Sequence, residues 1–235
     1  MDILGMLATA VVLGGLAGGV IDAIATRLPA GLALVGLPVR GDHHTPSARA
    51  LLPYVGARTT TDWNVSKLAT DIAAAAAVFA ALNLQGWTFD GLRASLFALL
   101  LLLILRIDWQ NHLIYMITIV PGVILALALS AYSSFSDFVS SGIAGIAAAF
   151  VFLLLFMLAV AIYRKRALGF GDVLLAGLIG TMTGLSGVAS ALMLGMLLAS
   201  LGGLFLIVIR VRKRTDYIPY GAYLSLGALV VVLLQ

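Results

Sequence analysis

Two aspartates frame the chemistry open to this chain. Asp172 closes the tetrapeptide Gly169-Phe170-Gly171-Asp172, directly after the cationic run Arg164-Lys165-Arg166 and directly before a stretch, 173–209, with no Asp, Glu, Lys or Arg. Asp108 stands at a similar boundary, after the apolar run 99–105 and Arg106. An ionisable group at the edge of hydrocarbon is costly and is by default a functional-site hypothesis. Two carboxylates meeting there cannot both ionise comfortably, so one keeps a proton and the other is a base. Such a pair can draw a proton from water attacking a peptide carbonyl, support the oxyanion and protonate the leaving amine. The shared proton titrates with the pair. Asp172, in the first turn of a helix, is biased toward the base role by the free N–H groups there. Gly169 and Gly171 permit positive φ and the close approach of an extended peptide. Phe170 reads as an interfacial aromatic. From spacing alone the same aspartates serve a proton relay or an ion path equally well.

The elements that must position these groups are membrane helices. The chain has 235 residues, 62% hydrophobic and only 10% charged, too apolar for a soluble domain. Uncharged runs recur at lengths near the roughly 20 residues that a helical span needs. As one helix, 173–209 would run about 55 Å against a hydrocarbon core of about 30 Å, so it must fold back. Thr183-Gly184-Leu185-Ser186-Gly187 supplies the break. The expected fold is an all-α, polytopic membrane helix bundle forming a single domain over 1–235. Eight transmembrane spans are predicted at about 3–24, 68–84, 91–107, 113–131, 141–163, 172–184, 188–209 and 217–234.

Charge orients the spans. With a loop at 28–67 on the cytoplasmic side, alternation puts thirteen of the fourteen basic residues inside and leaves only Arg93 outside. Both termini then face outward, and Asp108 and Asp172 share the inner side, with Asp22 and Asp71 near them and Asp90 and Asp137 opposite. The net charge of +4 is therefore a topology signal. The basic residues are dispersed and form no aromatic-interleaved patch, which excludes nucleic acid as a partner. Asp22 and Asp71 read as structural, paired with Arg27 or Lys67. His112, four residues after Asp108, reads as a polar residue at headgroup level.

The loop at 28–67 holds four of the six prolines. Asp42-His43-His44 within it reads as solvated loop, because adjacent histidines point apart and only one carboxylate is near. Cysteine is absent, which rules out disulfides and thiolate metal sites. The first apolar segment, preceded only by Asp2, reads as a permanent span.

Several segments together resemble the type IV prepilin peptidases, the GxGD aspartyl proteases that trim the leaders of pilin and pseudopilin subunits. Gly169-Phe170-Gly171-Asp172 matches the second catalytic motif, and Ile107-Asp108 with Leu113-Ile114 resembles the first. Gly18 to Pro29 is similar to the end of the family's first span, and Ile218 to Gly227 to the start of its last. The resemblance implies that Asp108 and Asp172 are the catalytic dyad, with Gly169, Phe170 and Gly171 forming an active-site loop. It also implies a multi-pass protein of the cytoplasmic (inner) membrane whose substrates are prepilins or type II secretion pseudopilins. No metal or organic cofactor is expected for the cut.

The departures are specific. Bifunctional members bind zinc through paired CxxC motifs in the first cytoplasmic loop, which this chain lacks, so S-adenosylmethionine enters only if methyl transfer to the new N-terminus is retained. Asp172-Val173-Leu174 stands where Asp-Val-Lys is usual, and Ile114-Tyr115-Met116 where Ile-Pro-Asp or Ile-Pro-Asn is usual. Asp22 stands where Asn is typical. Two rival readings follow: a proton-coupled transporter, and a non-proteolytic partner of the secretion machinery.

Overall fold

The computed structural model describes residues 3–28, 65–133, 137–163, 169–209 and 219–235. The loop with Asp42, His43 and His44 and the clusters Arg164–Arg166 and Arg210–Arg214 lie outside the described residues. Among the described residues there are seven helices and no strand. These are α1 (Ile3–Arg27), α2 (Val65–Gln85), α3 (Phe89–Asn111), α4 (Met116–Ser130), α5 (Phe138–Tyr163), α6 (Phe170–Val208) and α7 (Tyr220–Leu234).

The all-helical expectation holds, and so does the predicted break. Within α6, Gly184 has φ 64° and ψ −174°, a region open essentially only to glycine. The chain reverses there. The first limb meets the C-terminus of α7, where Gln235 Nε2 donates to Thr183 O at 3.0 Å, and the second limb returns until Gly202 faces Tyr223 near the start of α7. Leu185 N–H donates to Ser140 Oγ at 3.0 Å, so the polar groups released at the break find partners.

Four helical stretches are long and apolar enough to cross a membrane, namely Gly5–Thr26, Lys67–Gln85, Phe138–Ile162 and Phe170–Val208. α4 and α7 are apolar but have 15 residues each. α3 carries Asp90, Arg93, Arg106 and Asp108. The outward faces carry the large apolar side chains, Ile146 at 74% exposure and Val208 at 68% among them, while Asp22, Asp108 and Asp172 are buried. Apolar outside and acidic inside is the arrangement of a multi-pass membrane protein.

Small residues let the helices touch. A Cβ on Gly14 would collide with the backbone of Ala75, and one on Gly18 would lie 2.6 Å from Asp71 Cα, so α1 and α2 pack along a Gly-x-x-x-Gly seam. α5 meets the first limb of α6 through Ala144 and Gly145 against Gly177 and Gly180. The second limb meets α7 where Gly195 abuts Leu224 and Gly227. In the core between these seams lie Phe97, Leu101, Ile104, Phe152, Leu175, Leu178, Ile179 and Leu224. Burying such side chains stabilises each by dispersion, since lipid tails supply no hydrophobic drive between helices.

The polar residues separate to the two ends of this bundle. Asp90 lies at one end, where it accepts from Ser133 Oγ at 2.9 Å and lies 3.5 Å from Arg93 Nε. Arg93 stacks over the Phe97 ring at 5.5 Å. Asp22, Asp108 and Asp172 lie at the other.

Candidate active site

Three helix ends build the site. α3 does not stop before Asp108 but continues to Asn111, so Asp108 projects from within its last turns. The extension is possible because the charges on that turn have partners. Arg106 Nη2 lies 3.1 Å from Asp22 Oδ1 on α1; Asp22 is buried and Arg106 is partly so. Asp22 is thus paired, as expected, and the partner the structure gives it is Arg106. The reason is tertiary: α1 runs beside α3, bringing Asp22 level with a guanidinium 84 residues away. Asp71 packs against α1 at Gly18.

Asp108 is 3% exposed. Its Oδ2 accepts the backbone N–H of Ala222 at 2.7 Å, and the Gly221 N–H also faces the carboxylate. These are first-turn N–H groups of α7, which have no partner within their own helix. Behind Asp108 the helix closes at His112, whose backbone is left-handed at φ 53° and whose N–H donates to Asp108 O at 2.8 Å. His112 is therefore a helix cap within electrostatic reach of Asp108. Reading it only as a headgroup-level residue understates its nearness to the site.

Asp172 is 4% exposed and stands at the third position of α6. Its Oδ2 accepts the Gly169 N–H at 3.0 Å while its own N–H donates to Gly169 O at 3.1 Å, a reciprocal closure of the helix start. Asp108 and Asp172 lie close enough for their charges to repel one another. Tyr220, the first residue of α7, is within electrostatic reach of Asp172. The structure thus brings the two predicted aspartates to one end of the bundle, with the first turn of α7 against both.

The glycines have a different use from the one expected. Gly169 is extended at φ −82° and Gly171 is helical, so neither adopts positive φ. Gly171 is small because Ile114 needs the space: a Cβ there would lie 2.9 Å from Ile114 Cβ. Gly221 is constrained on the other side, where a Cβ would lie 2.7 Å from Ile114 Cδ1 and 3.0 Å from Asp108 Oδ2. Ile114, in the connection between α3 and α4, is wedged between the first turns of α6 and α7. The close approach that these glycines allow is made by the protein's own side chain. Phe170 is half exposed and meets Phe156 edge-on at 6.3 Å, in keeping with an interfacial aromatic.

Sequence reasoning missed Tyr220, Gly221 and Ala222 as neighbours of the aspartates. The one available signal was Pro219-Tyr220-Gly221, a helix-starting proline followed by a glycine within an otherwise apolar segment. It also gave Asp172 alone the benefit of a helix N-terminus, whereas Asp108 has the N-terminus of α7. That asymmetry therefore does not assign the base. Among the described residues no group of three His, Cys, Asp or Glu converges to hold a metal.

Beside Asp108 a cavity of about 430 Å³ opens between α2, α3 and α7, lined by Thr70, Leu102, Arg106, Trp109, Ala222 and Tyr223 among others. Trp109 and Tyr223 meet edge-on at 6.1 Å along it.

No curated protein and no solved structure matches the chain. Residues 95–208 match the type IV leader peptidase family, a segment that runs from the middle of α3 to the end of α6 and contains both buried aspartates. In that segment, just under half of its length, the chain is similar to the type IV leader peptidase family.

Proposed function

We propose that the protein is an aspartyl endopeptidase of the cytoplasmic membrane that removes the N-terminal leader from type IV prepilins or type II secretion pseudopilins on the cytoplasmic face. The observation that carries this reading is the approach of Asp108 and Asp172, from separate helices, at one buried end of the bundle. The match of residues 95–208 to the type IV leader peptidase family supports a leader peptidase. The end of α5, where Phe156 meets Phe170, and the end of the second limb of α6, where Gly202 meets Tyr223, lie toward this end of the bundle. The basic runs Arg164-Lys165-Arg166 and Arg210-Val211-Arg212-Lys213-Arg214 follow α5 and α6 directly in the sequence, which supports a cytoplasmic site.

The reaction follows from two carboxyls holding one proton. Burial makes two adjacent negative charges costly, so the pair retains a proton at neutral pH. The ionised member takes a proton from water as the water oxygen attacks the scissile carbonyl carbon. The protonated member hydrogen-bonds the carbonyl oxygen as it becomes an oxyanion. On collapse the C–N bond breaks, the leaving nitrogen takes a proton, and the leader departs as a carboxylic acid. The cut uses no metal or organic cofactor in this scheme; S-adenosylmethionine enters only with an accompanying methyl transfer. The backbone donors Ala222 and Gly169 each fix one carboxylate in place.

Purified protein in liposomes, given a prepilin with its leader, tests the reading. Cleavage by the wild type and its loss in both Asp108→Asn and Asp172→Asn, by roughly 10²–10⁴-fold or more, is the expected result. Retained cleavage in either variant removes that aspartate from the mechanism. Proton flux without added peptide favours the transporter.

A further inference from the structure

We propose that a cavity at the end of the bundle opposite Asp108 and Asp172 is a binding site for a primary ammonium group, held by oxygen acceptors from α2, α3 and α7. The inference is independent of the leader-peptidase reading. The cavity has a volume of about 570 Å³ and is lined by Gln85, Thr88, Phe89, Asp90, Tyr132 and Gln235 among others. That is room for a small organic cation.

Acceptors prevail around it. Gln85 ends α2 and donates through Nε2 to Val232 O on α7 at 2.9 Å, while its Oε1 is buried and has no hydrogen-bond partner among the described residues. A buried acceptor left unmet is costly, so a ligand that donates to it is favoured. Asp90, 8% exposed, adds a carboxylate to the same lining. It is held in place by Ser133 Oγ, which donates to it at 2.9 Å, and its charge is partly offset by Arg93 Nε at 3.5 Å. Three helices, α2, α4 and α7, end around the cavity at Gln85, Ser130 and Leu234. Each brings the negative end of its dipole and last-turn carbonyls that lack an N–H partner within the helix. The N-terminus of α3 opposes them, but it is already capped, with Thr88 Oγ1 accepting the Gly91 N–H at 3.2 Å and Asp90 in the first turn.

The surplus is therefore of acceptors, which suits a group with one positive charge and three N–H donors and disfavours an anion. Phe89 and Tyr132 add aromatic rings, edge-on at 6.1 Å, and Tyr132 is 79% exposed, so its ring face is open to a cation. The amine can come from a lipid headgroup, since the cavity lies at a bundle end, or from a soluble amine.

The test uses the full chain purified in an amine-free detergent. Phosphatidylethanolamine, phosphatidylcholine or soluble ethanolamine is added, and binding is read by native mass spectrometry and by the thermal unfolding midpoint. Phosphatidylethanolamine is expected to bind at least about tenfold more tightly than phosphatidylcholine, because trimethylation keeps the charge and removes every N–H donor. This comparison needs no variant. Binding of the lipid alone marks the headgroup as the ligand, and binding of ethanolamine as well marks a soluble amine; both support a primary-ammonium site. Gln85→Leu and Asp90→Asn are each expected to reduce the preference by about tenfold, whereas Leu84→Ala, on the apolar part of the lining, leaves it in place. Equal binding of the two lipids by the wild type would overturn the proposal, as would an unchanged preference in Asp90→Asn and Gln85→Leu proteins that unfold like the wild type.

Discussion

The carboxylate of Asp108 accepts a hydrogen bond at 2.7 Å from the backbone N–H of Ala222, 114 residues further along the chain. A single contact thus ties the third helix to the start of the last. It gives Asp108 the same kind of partner, an N–H at a helix start, that Asp172 receives from Gly169.

Gly221 makes that contact possible, and its enlargement is the sharpest test of it. Gly221→Ala puts a methyl 3.0 Å from Asp108 Oδ2 and 2.7 Å from Ile114 Cδ1. Overpacking of this kind costs about 1–3 kcal/mol. Cleavage is expected to fall by at least tenfold, with a smaller loss of thermal stability. Adding Ile114→Val removes the Cδ1 contact and is expected to recover stability better than activity, because the contact with Asp108 remains.

A shared proton gives the cleavage rate a maximum in pH. At low pH both aspartates are protonated and no base is left; at high pH both are ionised and no acid is left, so the rate falls on both sides. Measuring kcat/KM across pH checks this. A rate that only rises with pH would mean that a lone base acts without a protonated partner.

Asp22 is buried and its ion pair with Arg106 partly so, and removing the guanidinium takes from the buried carboxylate its cationic partner. Arg106→Met is expected to cost up to about 3 kcal/mol of stability, Asp22→Leu less, and the double variant less than the sum. Unfolding in detergent measures all three. Additive losses would show that the two residues do not act as a pair.

Gly184 occupies backbone space closed to other residues. Gly184→Ala is expected to destabilise by about 1–3 kcal/mol and to loosen the contact between Gln235 and Thr183. Gly187→Ala places its methyl against the Gln235 amide, a movable side chain, and is expected to cost less. Equal losses would mean that the strained φ at Gly184 carries no weight.

Much of this was legible in the residues themselves, because hydrocarbon imposes simple rules. Uncharged runs of a given length favour helices, and the eight predicted segments fall on the seven described helices, two of them on the limbs of α6, while four helical stretches are long and apolar enough to cross a membrane. A run too long for one crossing must turn at its glycines, and it does so at Gly184. Charged residues at the ends of such runs are conspicuous, so Asp108 and Asp172 stood out without any coordinates. Where the reading went astray, the missing quantity was always a distance between elements. Asp22 finds Arg106 because α1 lies beside α3. Gly171 makes room for Ile114, although its motif suggested room for a substrate. His112 turns out to cap the helix that carries Asp108.

The sequence by itself determined a multi-pass helical protein with two acidic residues at helix boundaries, since the cost of exposing backbone or charge to lipid depends only on composition and spacing along the chain. The tertiary structure alone decided that these two acids come within electrostatic reach of one another, that the first turn of α7 holds Asp108, and that Ile114 is wedged between two glycines. Those facts depend on which helix faces pack together, and such packing is set by small-residue seams such as Gly14 and Gly18 against α2. A seam identifies a face that can approach closely, but its partner is chosen only when all the helices are packed at once.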